Sequence, residues 1–289
     1  MPELPEVETV RRGLDRYTLD RAITGTEVLL PRTIAHPETP QEFSFGLQHT
    51  KIQGWHRRGK YLYAQLVSTK TPEAAGWLGV HLRMTGQLLW VESHTELHKH
   101  TRVRLFLGKD REIRFVDQRT FGQMWWIPPS KQLEQVMTGI AKLGPEPFDL
   151  AFSTGYFAAK LQKSSRNIKT VILDQNLVAG VGNIYADEAL FMSKIHPNTS
   201  ANQLTIDRVE LLRASIIAVL QLSIEQGGTT FSNYLSVQGT NGNYGGMAWV
   251  YNRTKQPCRV CGTPIEKIRL GGRGTHYCPT CQSHDLPTS

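Results

Sequence analysis

The chain has 289 residues, of which 39% are hydrophobic and 20% are charged, as in an ordinary globular protein. A chain of this length can bury the cores of two domains without cross-links, and no apolar run approaches the roughly 20 residues that a membrane span requires. The 33 lysine and arginine residues exceed the 25 aspartate and glutamate residues, which gives a net charge of +8. This excess favours a polyanionic partner such as nucleic acid, although many basic proteins bind none.

The first residues, MPELPEVETV, contain no cationic segment followed by an apolar one. They do not resemble a secretory signal, so we expect a cytoplasmic protein. Val7, Val10, Leu14 and Tyr17 then recur at helical spacing, and Pro5 stands where a first turn would begin. The pattern predicts one amphipathic helix at the start of the chain.

Pro2 and Glu3 stand immediately before this helix. Removal of Met1, which is usual when the second residue is small, would expose the secondary amine of Pro2 beside a carboxyl group. A terminal amine has a pKa of about 7.7 to 8.0, so it is neutral near pH 7 far more often than lysine. Such an amine condenses with a sugar aldehyde to an iminium that permits elimination. Taken alone, the two residues are more often plain residues of a helix start.

From about residue 20 to residue 127, short apolar or alternating runs are separated by glycine, proline and charged residues. Many strands at such spacing predict a β-sandwich or a β-barrel. The stiff sequence GPEP at 144–147 breaks this pattern, and helical patterns follow it. We therefore predict a first domain over residues 1–139 and a linker over residues 140–150.

Two helices are predicted in the second half of the chain, and residues 151–249 are assigned to this domain. One helix begins near Asn183, where Gly180 and Gly182 leave backbone N–H groups that can meet a phosphate; a tight turn between two helices is the alternative. The other helix is long and ends at Gly227 and Gly228. Its apolar stripe consists of Ile206, Val209, Leu212, Ile216, Val219 and Leu220. The glycine-rich residues 227–250 then predict a long loop.

The four cysteines lie in two Cys-x2-Cys pairs at the end of the chain. This spacing favours one tetrahedral Zn²⁺ over a redox pair, and four thiolates leave no open coordination position, so the zinc is structural. The ligands are Cys258, Cys261, Cys278 and Cys281. Between the pairs, residues 265–270 and 275–277 can form a hairpin that presents Arg273 to a phosphate or a groove, or only to solvent. The predicted zinc finger covers residues 250–289.

The sequence MPELPEVETVRRGL resembles the N-terminus of the formamidopyrimidine-DNA glycosylase family, bacterial enzymes that excise 8-oxoguanine and ring-opened purines. Further stretches resemble the family in the same order along the chain. They are RRGKYL at 57–62, HLRMTG at 81–86, DQRTFG at 117–122, LGPEPF at 143–148, GVGNIYADEALF at 180–191, SIEQGGTTF at 223–231 and the zinc segment. The resemblance implies an α+β multidomain fold: an N-terminal β-sandwich with flanking helices, a helix-two-turns-helix domain and a C-terminal β-hairpin zinc finger.

The resemblance also implies a bifunctional DNA glycosylase and abasic-site lyase. Pro2 resembles the nucleophile that attacks the sugar C1′, and Glu3 resembles the general acid and base. Base loss, a Schiff base and β,δ-elimination would leave a one-nucleotide gap. Lys60 and Arg273 resemble phosphate-binding residues of the same site; a solvated lysine at a strand end is the alternative for Lys60. The implied partner is double-stranded DNA with oxidised bases, bound by a monomer in the bacterial cytoplasm and nucleoid.

The remaining site residues implied by the resemblance bind the duplex or replace the extruded base. Met84, Arg119 and Phe121 resemble a void-filling trio, although Met84 and Phe121 alone would be interpreted as core residues. Glu6 resembles a buried active-site carboxylate or, alternatively, a partner of the helix dipole. The implied DNA contacts are Lys60, His100, Arg119, Lys169, Asn183 and Arg273.

The chain departs from the family pattern at Arg83, where glycine is frequent, and at Thr120, where a second arginine is frequent. Contacts to the orphaned base and nearby phosphates therefore differ. The loop at about 232–248 corresponds to the region that caps the lesion. A related alternative is an endonuclease VIII-like enzyme for oxidised pyrimidines, which typically has glycine where Leu4 stands. The third hypothesis is a non-catalytic zinc-ribbon DNA-binding regulator. Under this hypothesis we expect a retained Met1 and no covalent trapping.

Overall fold

The computed structural model describes residues 1–71, 73–229, 236–240 and 242–283. These residues form two compact units. The first contains Met1–Ala141 and the described part of Gly227–Asn243, and the second contains Lys142–Gln226 and the described chain from Tyr244 on. The sequence had placed the segment after Gly227 in the second domain. It groups with the first unit because Val237 lies in that unit's core and its carbonyl accepts the Trp90 N–H at 2.8 Å.

The predicted N-terminal helix is α1, Leu4–Thr18. Val7, Val10 and Leu14 are fully buried on one face of it, as their spacing requires. Thr18 accepts the indole N–H of Trp55 at 2.9 Å, which fixes the end of the helix to a neighbouring strand. The helix therefore packs its apolar stripe into the first unit along its whole length.

Nine strands of the first unit form one sheet in the order β2-β9-β5-β4-β3-β1-β7-β8-β6. The strands are β1 Ala22–Val28, β2 Ile34–His36, β3 Thr50–Arg58, β4 Tyr61–Ser68, β5 Ala74–His81, β6 Gly86–Glu92, β7 Thr101–Leu107, β8 Arg111–Asp117 and β9 Gln123–Ile127. All neighbouring pairs are antiparallel except β2 and β9. The region that the sequence predicted as strands is thus confirmed, with the exception described next.

A helix that the strand pattern did not predict, α2 Pro40–Leu47, interrupts this region. Thr39 caps it by accepting the Glu42 N–H at 3.2 Å, and Pro40 occupies the first helical position, where a missing N–H has no consequence. Phe43 and Leu47 are buried in the core of the unit. The cap and the proline were visible in the sequence, but the segment is too short to show helical periodicity.

Strand β1 divides the sheet into two halves. It pairs with β3 through Ala22 and Ile23 and with β7 from Ile23 to Val28, with a register shift at Gly25. Side chains of both halves, such as Leu78 of β5 and Phe115 of β8, belong to one buried cluster. The sheet therefore folds over its own core, which is the predicted β-sandwich. Two short helices follow β9: α3 Leu133–Val136 and α4 Thr138–Ala141.

The second unit is helical and ends in a β-hairpin. Its helices are α5 Thr154–Leu161, α6 Ile168–Ile172, α7 Asn183–Met192 and α8 Ile206–Glu225, and its strands are β10 Glu266–Leu270 and β11 Arg273–Tyr277. The predicted helix start near Asn183 and the end of α8 before Gly227 agree with the structure. The predicted apolar stripe of α8 is buried except for its first residue, Ile206, which is exposed. Within the described chain, no helix combines the length and the apolar character needed to cross a bilayer.

Candidate active site and nucleic-acid interface

The start of α1 fixes Glu3 next to Pro2. Glu3 is the residue before the first turn; its backbone N–H donates to Glu6 Oε2 at 2.8 Å, and the two residues form a reciprocal capping box. Both carboxylates are almost fully buried, with 2% and 1% of their surface exposed, while Met1 stays exposed. The arrangement fixes the Glu3 carboxyl group at the first turn of α1, directly after Pro2 in the chain.

Glu6 connects this helix start to the segment that follows α8. Its Oε1 accepts the backbone N–H of Thr229 at 2.9 Å and the Thr229 hydroxyl at 3.1 Å. Gly228, directly before Thr229, has a φ of 83°, a value that favours glycine. A Cβ there would lie only 3.1 Å from Glu6 Oε1, so glycine also permits this close approach. Glu6 is thus a buried carboxylate that joins two chain segments, which is more than a partner of the helix dipole.

Lys60 lies in the tight turn between β3 and β4 and is buried. The neighbouring buried side chain is His81, at the end of β5, whose Nδ1 accepts the Arg83 N–H at 2.9 Å. Burial, followed by the positive charges of Arg83 and Lys60, lowers the pKa of His81 to about 3. His81 is therefore neutral at physiological pH. The sequence did not identify it, although it opens the matched stretch HLRMTG.

The proposed void-filling trio lies on two adjacent loops of the first unit. Met84 and Phe121 are 41% and 52% exposed, so neither is a core residue. The Arg119 guanidinium carbon lies 5.0 Å from the centre of the Phe121 ring, a cation–π contact. The structure thus brings Arg119 and Phe121 together and leaves two large apolar side chains in solvent.

Asp117 locks the two loops together and was not identified from the sequence. Its Oδ1 accepts the Thr85 hydroxyl, and its Oδ2 accepts the Gly122 N–H at 2.7 Å. Thr85 in turn accepts the Arg119 N–H at 2.9 Å. Because Asp117 is buried, these bonds give the loops a defined geometry. The only sequence signal was its place at the head of the matched stretch DQRTFG.

His100 is partly buried in the first unit, and its Nδ1 lies 3.1 Å from Arg102 Nη2. Desolvation and the charges of Arg102, Lys99 and His98 lower the pKa of His100. A neutral imidazole can offer DNA a hydrogen bond but no charge.

In the second unit, Asn183 and the residue after Arg273 are in contact. Asn183 Nδ2 donates to the Gly274 carbonyl at 3.0 Å, and Gly182, the residue before α7, has no side chain with which to cap the helix. Gly271 and Gly272 form the hairpin turn with φ of 53° and 79°, the left-handed values that favour glycine. Arg273 is therefore the exposed first residue of β11, one position beyond the turn in which the sequence had placed it.

Lys169, for which the resemblance implied a DNA contact, lies in a buried charge cluster of the second unit. Its side chain is fully buried, and its ammonium group lies 2.6 Å from Asp187 Oδ1 and donates to the Gly274 carbonyl and the Thr275 hydroxyl at 3.0 and 2.9 Å. Asp187 also accepts the backbone N–H of His276 at 2.8 Å. Through these bonds Lys169 supports the hairpin beside Arg273. The contact between Lys169 and DNA stays a prediction.

The four cysteines of the second unit form one cluster, with all sulfur atoms within 4.8 Å of one another. Cys258 and Cys281 are 3.9 Å apart, and Cys261 and Cys278 are 3.4 Å apart. A tetrahedral site with Zn–S bonds of about 2.3 Å has sulfur atoms about 3.8 Å apart. The cluster fits one zinc ion with four thiolate ligands, as the sequence predicted.

The chain is similar to known proteins over nearly its whole length. Residues 1–124 match the family model of the formamidopyrimidine-DNA glycosylase N-terminal domain, residues 143–234 match the formamidopyrimidine-DNA glycosylase H2TH domain, and residues 255–283 match a zinc finger found in FPG and IleRS. The chain is 60% identical over 283 residues to the formamidopyrimidine-DNA glycosylase of Nostoc punctiforme, covering 98% of this chain and 96% of that protein. It is 61% identical over 282 residues to that of Acaryochloris marina, covering 98% and 99%.

Solved structures agree with this similarity. A complex between Lactococcus lactis Fpg and an abasic-site-containing DNA has a TM-score of 0.86 and 36% identity, covering 97% of this chain and 99% of that chain. A complex of the wild-type Lactococcus lactis Fpg with DNA containing N7-benzyl-Fapy-dG has a TM-score of 0.87 and 36% identity, covering 98% and 100%.

Proposed function

Because the chain belongs to the formamidopyrimidine-DNA glycosylase family, we propose that it removes oxidised purines from duplex DNA through the amine of Pro2, with Glu3 as proton donor and acceptor. The chain is a DNA glycosylase and abasic-site lyase of base-excision repair. Its substrates are duplexes that contain 8-oxoguanine or formamidopyrimidine lesions.

The reaction begins once Met1 has been removed and Pro2 carries a secondary amine. The amine attacks C1′ of the damaged nucleotide, the bond from C1′ to the base breaks, and the base leaves with a proton supplied by the Glu3 carboxyl group. Opening of the sugar gives an iminium between Pro2 and C1′. The iminium acidifies C2′, so loss of a C2′ proton expels the 3′ phosphate, and a second elimination expels the 5′ phosphate.

The observation that carries this proposal is the fixed, buried position of Glu3 beside Pro2. The Glu6 contacts with the Glu3 N–H and with Thr229 hold the start of the helix in place, so the proton donor does not have to be ordered during the reaction. The same contacts connect the helix to the segment after Gly228, which continues into the proposed lesion-capping loop. Residues 232–235 and 241 of that loop lie outside the described residues.

We further propose that the DNA is held by groups on both units. Asn183, the start of α7 and Arg273 bind phosphates, and Lys60 and His100 contact the DNA from the first unit. Met84, Arg119 and Phe121 fill the space that the extruded nucleotide leaves, and Arg119 hydrogen-bonds the orphaned base. Exposure of the two apolar side chains of this trio supports that role.

The zinc ion is structural. Cys258, Cys261, Cys278 and Cys281 occupy all four of its positions, so it supplies rigidity to the hairpin and no Lewis-acid step. We propose that the protein acts as a monomer in the bacterial cytoplasm, associated with the nucleoid through its affinity for DNA. Fluorescence microscopy of a labelled protein before and after DNA damage tests this location.

Borohydride trapping tests the chemistry. Wild-type protein with a duplex containing 8-oxoguanine opposite cytosine is expected to form a stable covalent complex, because borohydride reduces the iminium. Pro2→Gly and Glu3→Gln are expected to lose excision and retain duplex binding. Matched controls are Pro40→Gly and Glu42→Gln, since α2 also begins with a proline and has a glutamate in its first turn. Equal trapping by the Pro2 and Glu3 variants contradicts the assignment.

Two further measurements distinguish the alternatives. Faster excision of thymine glycol than of 8-oxoguanine would favour the endonuclease VIII-like activity. Mass spectrometry of the purified chain shows whether Met1 is absent; a retained Met1 together with no trapping would favour a non-catalytic DNA-binding regulator.

A further inference from the structure

Three arginine side chains surround the two exposed loops that carry Met84 and Phe121. Arg119 lies over the Phe121 ring. Arg83 donates from Nη2 to Gln123 Oε1 at 3.1 Å, and Arg32 donates from Nη2 to the Thr120 hydroxyl at 2.6 Å. The last contact brings a guanidinium from a distant part of the sequence to the residue between Arg119 and Phe121.

The backbone places Arg32 there. The N–H groups of Leu29 and Leu30 both donate to the Arg102 carbonyl, at 2.8 and 3.2 Å, so the segment before Arg32 runs along the start of β7. Arg102 itself donates from Nε to the Asp117 carbonyl at 2.8 Å. A fourth guanidinium therefore lies at the base of the same two loops.

Among the residues that the structure describes, these arginines lack carboxylate partners, in contrast to most others of the first unit. Within the described residues, Arg32, Arg83 and Arg119 form no ion pair. Asp117, between the loops, directs its oxygens at Thr85 and Gly122 instead. The arginines of the unit that do pair with carboxylates are Arg11, Arg12, Arg57, Arg104, Arg111 and Arg114.

Uncompensated like charges that the fold holds close together repel one another, and a polyanion relieves this repulsion. Each guanidinium has five N–H donors, of which Arg32 and Arg83 each use one in the contacts above. The remaining donors can bind phosphate oxygens, and a planar guanidinium suits that geometry. Hydrogen bonds to Thr120 and Gln123 orient the two groups before DNA arrives.

We propose that Arg32 and Arg83 bind backbone phosphates of duplex DNA next to the position at which Arg119 and Phe121 enter the base stack. The inference rests on the proposed function, because it takes Phe121 as the wedge. It assigns a phosphate-binding role to Arg32, whose position in the chain carried no such expectation. It also assigns one to Arg83, for which the sequence indicated only that contacts to the orphaned base and nearby phosphates differ from the family pattern. These phosphate contacts stabilise the bent duplex on the side at which Phe121 enters it.

The salt dependence of binding tests the proposal. The full chain is titrated against a labelled duplex with a tetrahydrofuran abasic-site analogue, by fluorescence anisotropy, from 50 to 300 mM NaCl. One phosphate contact contributes about 0.9 to the slope of log affinity against log salt, and therefore about eightfold in affinity at 0.1 M. We expect Arg32→Ala to lower the slope by about 0.9 and Arg32→Lys to keep it. The double variant, Arg32→Ala with Arg83→Ala, should lower the slope by about 1.8.

Arg111→Ala is the matched control. Arg111 is an exposed arginine of the same unit, paired with Glu92 at the opposite end of β8 from Asp117, about 20 Å along the strand. An Arg32→Ala slope equal to that of Arg111→Ala overturns the proposal. A loss of affinity without a change of slope also overturns it, since that result indicates a distorted loop.

Borohydride trapping of the wild-type chain separates the two hypotheses. If wild-type protein traps 8-oxoguanine DNA and Arg32→Ala keeps the full slope, only the arginine assignment fails. If wild-type protein neither traps nor binds lesion DNA, the proposed function itself fails.

Discussion

The two units hold their functional residues by different means. In the first, Pro2, Glu3 and Glu6 are neighbours at the start of one helix, and a capping box fixes them. In the second, Asn183 and Gly274 are 91 residues apart and meet through a side chain-to-backbone hydrogen bond. A reactive pair needs only local order, whereas a phosphate-binding surface has to be assembled from distant segments by buried charge and a metal ion. Changes to the second unit should therefore impair binding more than chemistry.

Removal of a zinc ligand should have the largest effect. Cys258→Ser is expected to release zinc and to unfold the β10–β11 hairpin, because structural zinc contributes about 10 kcal/mol or more to the folding of small fingers. DNA affinity should fall by at least about 100-fold while excess DNA still permits trapping through Pro2. Zinc content and anisotropy measure the two effects. Val260→Ser, at an exposed position between Cys258 and Cys261, is the control. Undiminished DNA affinity after zinc loss would contradict the role of the second unit in binding.

Disruption of the buried charge cluster should come next. Lys169→Met leaves Asp187 buried without its cation, which destabilises the second unit by about 3 to 5 kcal/mol. Urea denaturation and DNA binding should both show the loss, and single-turnover cleavage at saturating DNA should be affected less. The exposed Lys160 of α5 provides the control variant Lys160→Met. A loss of cleavage as large as the loss of affinity would contradict the separation between chemistry and binding.

His81 is a buried titratable group of the first unit, so the stability of this unit should depend on pH. Its pKa is about 3 in the folded chain and about 6.5 when unfolded, so the unfolded state binds more protons between these values. Stability should fall as the pH drops from about 6.5 towards 3, by about 2 kcal/mol between pH 7 and pH 5. In His81→Asn, which keeps an acceptor for the Arg83 N–H, this part of the pH dependence should disappear. His94→Asn, at an exposed histidine, should leave the pH profile unchanged.

Glu8 should give the smallest effect. Burial alone would raise the pKa of Glu8, but hydrogen bonds and charge interactions with Arg11, Arg12 and Arg57 outweigh it and lower the pKa. Its stabilisation is therefore present above about pH 4.5 and is lost as the pH falls through the lower, folded-state pKa. Glu8→Gln should cost about 1 kcal/mol at pH 7 and nothing in strong acid, by urea denaturation. The side chain of Asp20 is exposed, so Asp20→Asn is the control. An equal loss of unfolding free energy in this variant would contradict a specific contribution of Glu8 and its arginine partners.

The local features of the fold and site were predictable from the sequence. The stripe Val7, Val10 and Leu14 gave α1, because a helix repeats every 3.6 residues whatever surrounds it. The cysteine spacing gave the zinc site, because two short loops can close around one ion without knowledge of the remaining fold. The resemblance to a family brought forward Pro2 and Glu3, whose residue types alone are also typical of a plain helix start.

Only the tertiary structure decided the roles that depend on burial and on distant partners. The resemblance implied a DNA contact for Lys169, and the structure adds that its side chain is enclosed by Asp187 and Thr275, which follow it by many residues in the chain. Glu6 could not be assigned until Thr229 was found on its second oxygen. Arg32 contacts Thr120 because the segment before it pairs with the start of β7, and no local sequence pattern encodes that pairing. Chain neighbours determine helix starts and metal loops, whereas desolvation and charge pairing depend on which distant segments the folded core brings together.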